Sequence, residues 1–181
     1  MADYQTNMSS TVVVTDNADQ TFHKLHNRWA LWAHLPHDTD WSINSYKLVS
    51  SFGTVEDAIV LLETLPEKMI NNCMLFIMKD KINPTWEDIS NRKGGSFSYK
   101  VSNKTVCSIW KKLSYALIGE TLASDNNILA TINGITISPK KNFSILKIWL
   151  STCNYQNPAV IKKIIDINPN GCLFKKHSPE Y

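Results

Sequence analysis

The chain has 181 residues, of which 43% are hydrophobic and 19% are charged. This composition is ordinary for a globular protein, and the length suffices to bury a core without disulfides or a structural metal. The net charge of +3 permits an anionic ligand, but it is too small to indicate nucleic-acid binding by itself. The four cysteines form no C-x-x-C pair, no signal-peptide pattern opens the chain, and no apolar run reaches the roughly 20 residues of a membrane-spanning helix. We therefore expect a cytoplasmic monomer with reduced thiols.

The chain divides into a polar start and one domain. Residues 1–22 are rich in Ser, Thr, Asn and Asp, which is typical of a disordered arm. Residues 23–181 contain no internal repeat and no Gly/Ser linker, so a single domain is predicted there.

Three segments have the pattern of helices. The first, residues 54–65, opens with a threonine N-cap and an acidic turn and ends at a proline. The second, residues 106–118, carries an apolar stripe at helical spacing and is followed by a glycine. The third, residues 157–165, opens with Asn-Pro, a cap followed by proline at the first helical position.

Seven strand-like runs surround these helices. They lie near residues 25–33, 45–52, 73–79, 95–101, 128–137, 143–151 and 172–174. The runs outnumber the helices and do not alternate strictly with them, which favours an α+β fold: a mostly antiparallel sheet with the helices on one face. The other face, called the open face below, is then available for a ligand.

The run at 143–151 indicates which side chains belong to each face. Leu146, Ile148 and Leu150 alternate with Lys147 and Trp149, so the two sets point in opposite directions. The aliphatic set is expected beneath the helices. Lys147 and Trp149 then share the open face, where a cation and an indole can both contact an anionic aromatic ligand.

Two further tryptophans are predicted to lie in loops. Trp41 follows a stretch rich in His, Pro and Asp, and Trp86 follows an Asn-Pro turn and precedes Glu87. A purine can stack between two indoles while a carboxylate accepts hydrogen bonds from the N1–H and N2 amine of guanine, a donor pair that adenine lacks. Methylation at N7 makes guanine cationic and adds a cation–π contribution of about 0.5–2 kcal/mol per face. Either tryptophan alone is better explained by loop packing; the two together, with Trp149, favour a methylated guanine as ligand.

Several short motifs follow one another along the chain. They are H-K-L-H-N-R-W-A-L-W from residue 23, F-G-T-V-E-D from 52, P-T-W-E-D from 84, K-G-G from 93, a tryptophan at 110, L-I-G-E from 117 and I-W at 148. In content and order they resemble the eukaryotic translation initiation factor 4E family, the proteins that bind the 7-methylguanosine cap of mRNA. The resemblance covers residues 23–165.

The resemblance implies a fold and a set of site residues. The fold is a curved antiparallel sheet with three helices on its convex back and the cap in its concave face. The cap-binding residues of the family fall on Trp41, Trp86, Glu87 and Trp149. The remaining tryptophans match structural ones and are expected in the core or on the back, at positions 29, 32 and 110.

The phosphate site departs from the family pattern. The residues at the family's basic positions are Ser96, Ile135 and Ile145. The loop between the last two is taken to be longer than in the family, and it carries two lysines. We therefore hypothesise that the phosphate ligands are Lys140, Lys141 and Lys147, with Lys175 and Lys176 as substitutes. A solvated hairpin tip is an equally good interpretation of the first two.

The resemblance also implies a partner on the convex back, a scaffold protein of initiation factor 4G type that presents a Tyr-x-x-x-x-Leu-Φ helix. The surface residues implicated are His23, Leu25, Val55, Ile59, Trp110, Lys111 and Tyr115. Ile59 stands where the family has tryptophan, and Lys111 and Tyr115 stand where it has leucine. We therefore expect poor binding of the usual helix, or a divergent and acidic counterpart.

Three functions follow from these features. The first is a cap-binding initiation factor that recruits mRNA to the ribosome, and the second is a cap-binding repressor or cap protector that does not engage the scaffold. The third is an enzyme acting on capped or free nucleotides. No Ser/His/Asp, Cys/His or P-loop signature supports the third, and two H-x-x-H pairs lack companion metal ligands. We expect no catalysis, no metal and no other cofactor.

Overall fold

The computed structural model describes residues 21–163, 167 and 169–179. The predicted arm therefore lies outside the described residues except for its last two positions. The first strand begins at Lys24, one residue after the predicted start of the domain. Among the described residues, no helix combines the length and apolar character needed to cross a membrane.

The described strands form one antiparallel sheet. Their bounds are β1 Lys24–His34, β2 Tyr46–Thr54, β3 Met74–Lys79, β4 Gly95–Ser102, β5 Ile132–Pro139, β6 Phe143–Leu150 and β7 Leu173–Lys176. The spatial order is β2-β1-β3-β5-β6-β4-β7, and every neighbouring pair is antiparallel. The predicted α+β fold with a curved, open antiparallel sheet is confirmed.

Two longer helices lie where the sequence predicts them. The bounds are α1 Val55–Thr64 and α3 Val106–Ile118. The Thr54 side chain caps α1 by accepting a hydrogen bond from the Asp57 backbone N–H at 3.2 Å, as its position predicts. Gly119 follows α3 and closes it with a backbone bond from its N–H to the Tyr115 carbonyl.

Two short helices are not predicted from the sequence. They are α2 Glu67–Asn72 and α4 Asn126–Thr131. The expected strand near 128–137 is therefore wrong at its start, because the Asp125 side chain accepts a bond from the Asn127 N–H and begins a helical turn. Six residues are too few for a helical apolar stripe to be recognised in a sequence.

The predicted third helix, residues 157–165, is wrong over residues 157–163, and its last two residues lie outside the described part of the chain. Asn157 does cap, since its side chain accepts a bond from the Ala159 N–H at 3.0 Å, but the helical part is one 3-10 turn over Pro158–Val160. Ile161 is already extended, and the Lys162 N–H donates to the Leu122 carbonyl at 2.7 Å. That tertiary bond uses the donor which a helix would need internally.

The two faces of the sheet are covered differently. One face packs against all four described helices around a main core that includes Leu31, Ile77, Leu113, Leu146, Ile148 and Leu150. The open face carries a smaller cluster of Phe76, Met78 and Trp149, with Trp32, Tyr46, Met74, Ile82 and Trp86 against it. The alternation predicted along β6 is confirmed. Trp29 and Trp110 lie in the main core as expected, whereas Trp32 belongs to the open face.

Candidate functional site

A cavity of about 540 Å³ opens on the open face of the sheet. Its walls are formed by Trp41, Ser42, Tyr46, Met74, Phe76, Pro84, Thr85, Trp86, Glu87, Lys147, Trp149 and Ser178. The cavity thus brings together all four residues that the sequence marks for cap binding, together with one of the three marked for phosphate. Its size lies within the range of small-molecule sites, about 300–1,000 Å³.

Trp41 lies in the loop between β1 and β2 and is 58% exposed. Its indole stacks on the buried His34 imidazole, with ring centroids 4.3 Å apart and planes 4° apart. The His34 Nε2–H donates to the carbonyl of Asp40 at 2.8 Å. The Asp40 carboxylate accepts bonds from the backbone N–H and hydroxyl of Ser42, and these bonds lower the pKa of the carboxyl. The loop is therefore ordered by its own polar groups on both sides of the tryptophan.

Trp86 lies in the loop between β3 and β4, which is organised by the buried Asn91. The Asn91 amide donates to the carbonyls of Asn83 and Thr85, each at 2.9 Å, and its oxygen accepts a bond from the Asn133 side chain. These bonds fix both ends of the turn that carries the indole. Glu87, the next residue, is exposed and lines the cavity.

Trp149 forms the base of the cavity, where only 3% of its surface is exposed. Its Nε1–H donates to the Thr136 hydroxyl at 2.7 Å on the neighbouring strand, and Phe76 packs edge-on against it. The indole nitrogen is therefore already paired with Thr136, and Trp149 offers a ligand only apolar ring atoms.

The cationic groups divide into two sets. The ammonium groups of Lys147 and Lys175 lie 5.7 and 5.5 Å from the centre of the Trp86 ring. Burial lowers the pKa of Lys147, and the charges of Lys175 and Lys140 lower it further. Lys140 and Lys141 do not line the cavity; they line a neighbouring groove of about 450 Å³ that shares Trp41 with it. The structure therefore separates the three predicted phosphate ligands.

Two expectations about the phosphate positions are wrong. The connection between β5 and β6 is a hairpin of three residues, 140–142, closed by a bond from the Lys140 N–H to the Phe143 carbonyl, so no long loop exists there. Ile135 packs in the main core and faces away from the cavity. It is therefore not the position of a lost phosphate ligand. Ser96 pairs with Trp149 and does belong to the open face.

Sequence reasoning missed several residues of the site. The sequence suggests Lys175 only as a substitute phosphate ligand, and its motifs do not include the rings of His34, Tyr46, Phe76 and His177. The placement of Lys175 depends on the pairing of β7 with β4, which sets it opposite Ser96. Of these residues, only Phe76 can be placed from the sequence. It alternates with Leu75 and Ile77 along β3, and this alternation predicts that its side chain lies on the open face.

The predicted partner surface is only partly exposed. Trp110 is buried in the main core, so it is not a contact residue, because its helix turns that side chain towards the sheet. Val55 and Ile59 are exposed on α1, together with Val60. Lys111 forms an ion pair on this surface, because its ammonium lies 2.7 Å from the Glu63 carboxylate.

Hydrogen bonds to carboxylates recur around this surface. The Tyr115 hydroxyl donates to the other oxygen of Glu63 at 2.8 Å, and the two bonds to Glu63 lower the pKa of its carboxyl. His23 pairs with Glu56, at 2.6 Å. Leu25 is half-buried against the main core.

Comparisons with known proteins agree with this architecture. The family model described as eukaryotic initiation factor 4E matches residues 24–179. The initiation factor 4E of Eremothecium gossypii is 31% identical over 189 residues, which cover 95% of this chain and 86% of the relative. That of Dictyostelium discoideum is 30% identical over 158 residues and 81% of this chain. The match spans 61% of the Dictyostelium protein, less than two thirds of its length.

Solved structures give the same result. A C. elegans initiation factor 4E in complex with the 4E-binding protein Mextli and a cap analogue has a TM-score of 0.66 and 27% identity, covering 74% of this chain and 76% of that one. A schistosome initiation factor 4E complexed with m7GpppG and 4E-BP has a TM-score of 0.66, 27% identity and 74% coverage of both chains. The chain belongs to the eukaryotic initiation factor 4E family.

Proposed function

We propose that this chain binds the 7-methylguanosine 5′ cap of mRNA and acts in translation initiation by recruiting capped mRNA to the ribosome. The observation that carries the proposal is one cavity lined by Trp41, Trp86 and Glu87 on the open face of the sheet. Two indoles and a carboxylate are the groups that a cationic guanine needs for stacking and for recognition of its Watson–Crick edge.

The surrounding residues supply the rest of a nucleotide site. Met74, Phe76 and Trp149 form an apolar base to the cavity. Lys147 and Lys175 hold positive charge beside Trp86, where the phosphates of a stacked nucleotide can be neutralised. We assign phosphate binding to Lys147 and Lys175. Lys140 and Lys141 contact phosphates only if the bound RNA continues past Trp41 into the neighbouring groove.

The proposed setting is cytoplasmic, and the proposed form is a monomer that binds RNA without catalysis. The partner is a helix of a 4G-type scaffold or of a 4E-binding protein, since relatives with this fold are solved in complex with 4E-binding proteins. The exposed Val55, Ile59 and Val60 on α1 support an apolar helix contact. A cap-binding repressor or protector is the second candidate, favoured by the pairing of Lys111 and Tyr115 with Glu63 on this surface.

Titration of intrinsic tryptophan fluorescence tests cap binding directly. We expect quenching by 7-methyl-GTP, with clearly weaker binding of unmethylated GTP, because the cation–π contribution is lost. Equal affinities for the two nucleotides would contradict the proposal. Chromatography of 7-methyl-GTP after long incubation should recover it unchanged; its conversion would favour an enzyme instead.

A further inference from the structure

Both loop tryptophans that line the cavity are backed by a histidine. The His34 ring stacks on Trp41 at 4.3 Å and 4°, and the His177 ring stacks on Trp86 at 5.7 Å and 16°. Both indoles line the cavity and neither imidazole does. The indoles therefore stand between the histidines and the space where a ligand would lie.

The two histidines are also anchored in the same way. Each donates one ring N–H to a backbone carbonyl of the loop that carries its tryptophan: His34 to Asp40 and His177 to Asn91, both at 2.8 Å. His34 is the last residue of β1, and His177 directly follows β7. Each loop is thus tied, through an imidazole, to the end of a strand of the sheet.

Burial shows that these rings are part of the framework. His34 is 2% exposed and His177 is 7% exposed. His177 also lies 4.7 Å from the Trp149 ring, so it fills the corner between the base and one wall of the cavity. Its Nδ1 is used by the Asn91 carbonyl, and its Nε2 is buried with no hydrogen-bond partner among the described residues. A buried orphan nitrogen carries a cost that the ring's packing must offset.

We propose that His34 and His177 are positioning residues whose rings hold the two indoles parallel to a bound base. The ligand would then complete a stack of five rings, in the order His34, Trp41, base, Trp86, His177. The inference rests on the proposed function, because it assumes that the base lies between the tryptophans. Under this proposal, His34 and His177 increase the affinity for the nucleotide although neither residue touches it.

The histidines increase affinity because they restrict the conformations of the two indoles before the ligand binds. An exposed tryptophan in a loop samples several rotamers, and ordering it on binding lowers the affinity. A ring stacked on its outer face selects one orientation in advance. Aromatic stacking is specific to planar rings, so an aliphatic side chain of similar volume does not replace it.

The experiment compares leucine and phenylalanine at each histidine. Both substitutions remove the ring N–H bond to the loop carbonyl, and only phenylalanine keeps an aromatic face. We expect His34→Leu and His177→Leu each to bind 7-methyl-GTP about two- to tenfold more weakly than the phenylalanine variant at the same position. Circular dichroism melts of each pair check that leucine and phenylalanine are tolerated equally.

The outcomes separate this inference from the proposed function. Binding by the wild type with equal affinities in the leucine and phenylalanine variants would overturn the positioning role alone. A wild type that fails to bind 7-methyl-GTP would overturn the proposed function and this inference with it. The two histidines lie on separate strands, one at the end of β1 and one directly after β7, so one site remains testable if the other does not tolerate substitution.

Discussion

At the scale of single residues, the site depends on a few aromatic rings whose surroundings differ. Trp41 is largely exposed apart from the face on His34, whereas Trp149 is almost fully buried and has its nitrogen paired with Thr136. A ring that is exposed without ligand can gain the most contact on binding. The exposed Trp41 and the half-buried Trp86 should therefore contribute more to affinity than Trp149, which should mainly set the shape of the cavity.

Substitution of either loop tryptophan tests this difference. We expect Trp41→Ala and Trp86→Ala each to cost about 1–3 kcal/mol of binding free energy for 7-methyl-GTP, the usual worth of one stacked base. Ile89→Ala is the matched control, because Ile89 is 82% exposed in the loop of Trp86 and does not line the cavity. Isothermal calorimetry measures all three, and a loss as large in the control would show that the loop itself is being disturbed.

The lysines give a second prediction at this scale. Lys147→Ala with Lys175→Ala should reduce the preference for triphosphate over monophosphate caps and flatten its dependence on salt, because both ammonium groups lie beside Trp86. Lys140→Ala with Lys141→Ala should change the preference less, since these residues line the neighbouring groove. Lys104→Ala, an exposed lysine outside both sites, serves as control. If the Lys140/Lys141 variant instead lost more of the triphosphate preference than the Lys147/Lys175 variant, the hairpin lysines would be the phosphate ligands, as the sequence predicts.

At the scale of elements, a small network of an ion pair and a hydrogen bond connects the exposed sides of α1 and α3. Glu63 on α1 receives both Lys111 and Tyr115 from α3. The exposed pair contributes little to stability, but it keeps a charged group where a partner helix would need apolar contact. An incoming helix must displace or accommodate this network.

Calorimetry with a generic Tyr-x-x-x-x-Leu-Φ peptide tests the consequence. We expect weak binding to the wild type and a gain of at least about tenfold in a variant with Ile59→Trp, Lys111→Leu and Tyr115→Leu, since a few buried apolar anchors carry most of such an interface. Lys112→Leu alone, at the next position of the same helix, should leave binding unchanged. Tight binding by the wild type with no gain in the triple variant would show that this surface accepts the usual helix unmodified.

The entry into β4 gives a further prediction at this scale. A Cβ at Gly94 would lie 1.8 Å from the Leu150 carbonyl oxygen, a backbone atom that cannot move aside cheaply. Gly94→Ala should therefore lower the free energy of unfolding by about 1–3 kcal/mol, the usual cost of overpacking. Gly171→Ala is the matched control, because a Cβ there meets nothing within 4 Å. Urea denaturation compares the two; equal stabilities would mean that the strand pair relaxes at no cost.

At the scale of the whole molecule, His177 links the pH of the solution to stability. Burial lowers the pKa of His177 below its ordinary 6.5, the Asn91 carbonyl raises it in part, and the charge of Lys147 lowers it again. Below pH 6.5 the unfolded chain takes up this proton before the folded chain does, so stability falls as the pH falls from 6.5 towards the folded pKa.

Thermal melts over this pH range check the prediction. We expect the wild type to lose stability steadily below about pH 6.5. His177→Phe should flatten that part of the profile, because no proton is then taken up at this position. His37→Phe, at an exposed histidine in the loop of Trp41, is the control for replacing a histidine by phenylalanine. Identical slopes in the wild type and His177→Phe would assign the pH dependence to other groups.

Local rules account for much of what could be predicted. The Thr54 cap, the end of α3 at Gly119 and the alternation along β6 each depend on residues within a few positions of one another. The faces of β6 followed because successive side chains of a strand point in opposite directions. The loop positions of Trp41, Trp86 and Glu87 came from turn residues beside them, and the family motifs added that they share a site.

The features that the sequence did not predict depend on contacts between distant parts of the chain. The third helix failed because the Lys162 N–H pairs with the carbonyl of Leu122, which is remote in sequence. Lys175 reaches Trp86 only through the register of β7 on β4, and a shift of one residue in that register would turn its side chain to the other face. The amino-acid order thus predicted the seven strands, the helices α1 and α3 and the faces of β6. The stacking of His34 and His177 behind the indoles, and the separation of Lys140 from Lys147, required the packed sheet.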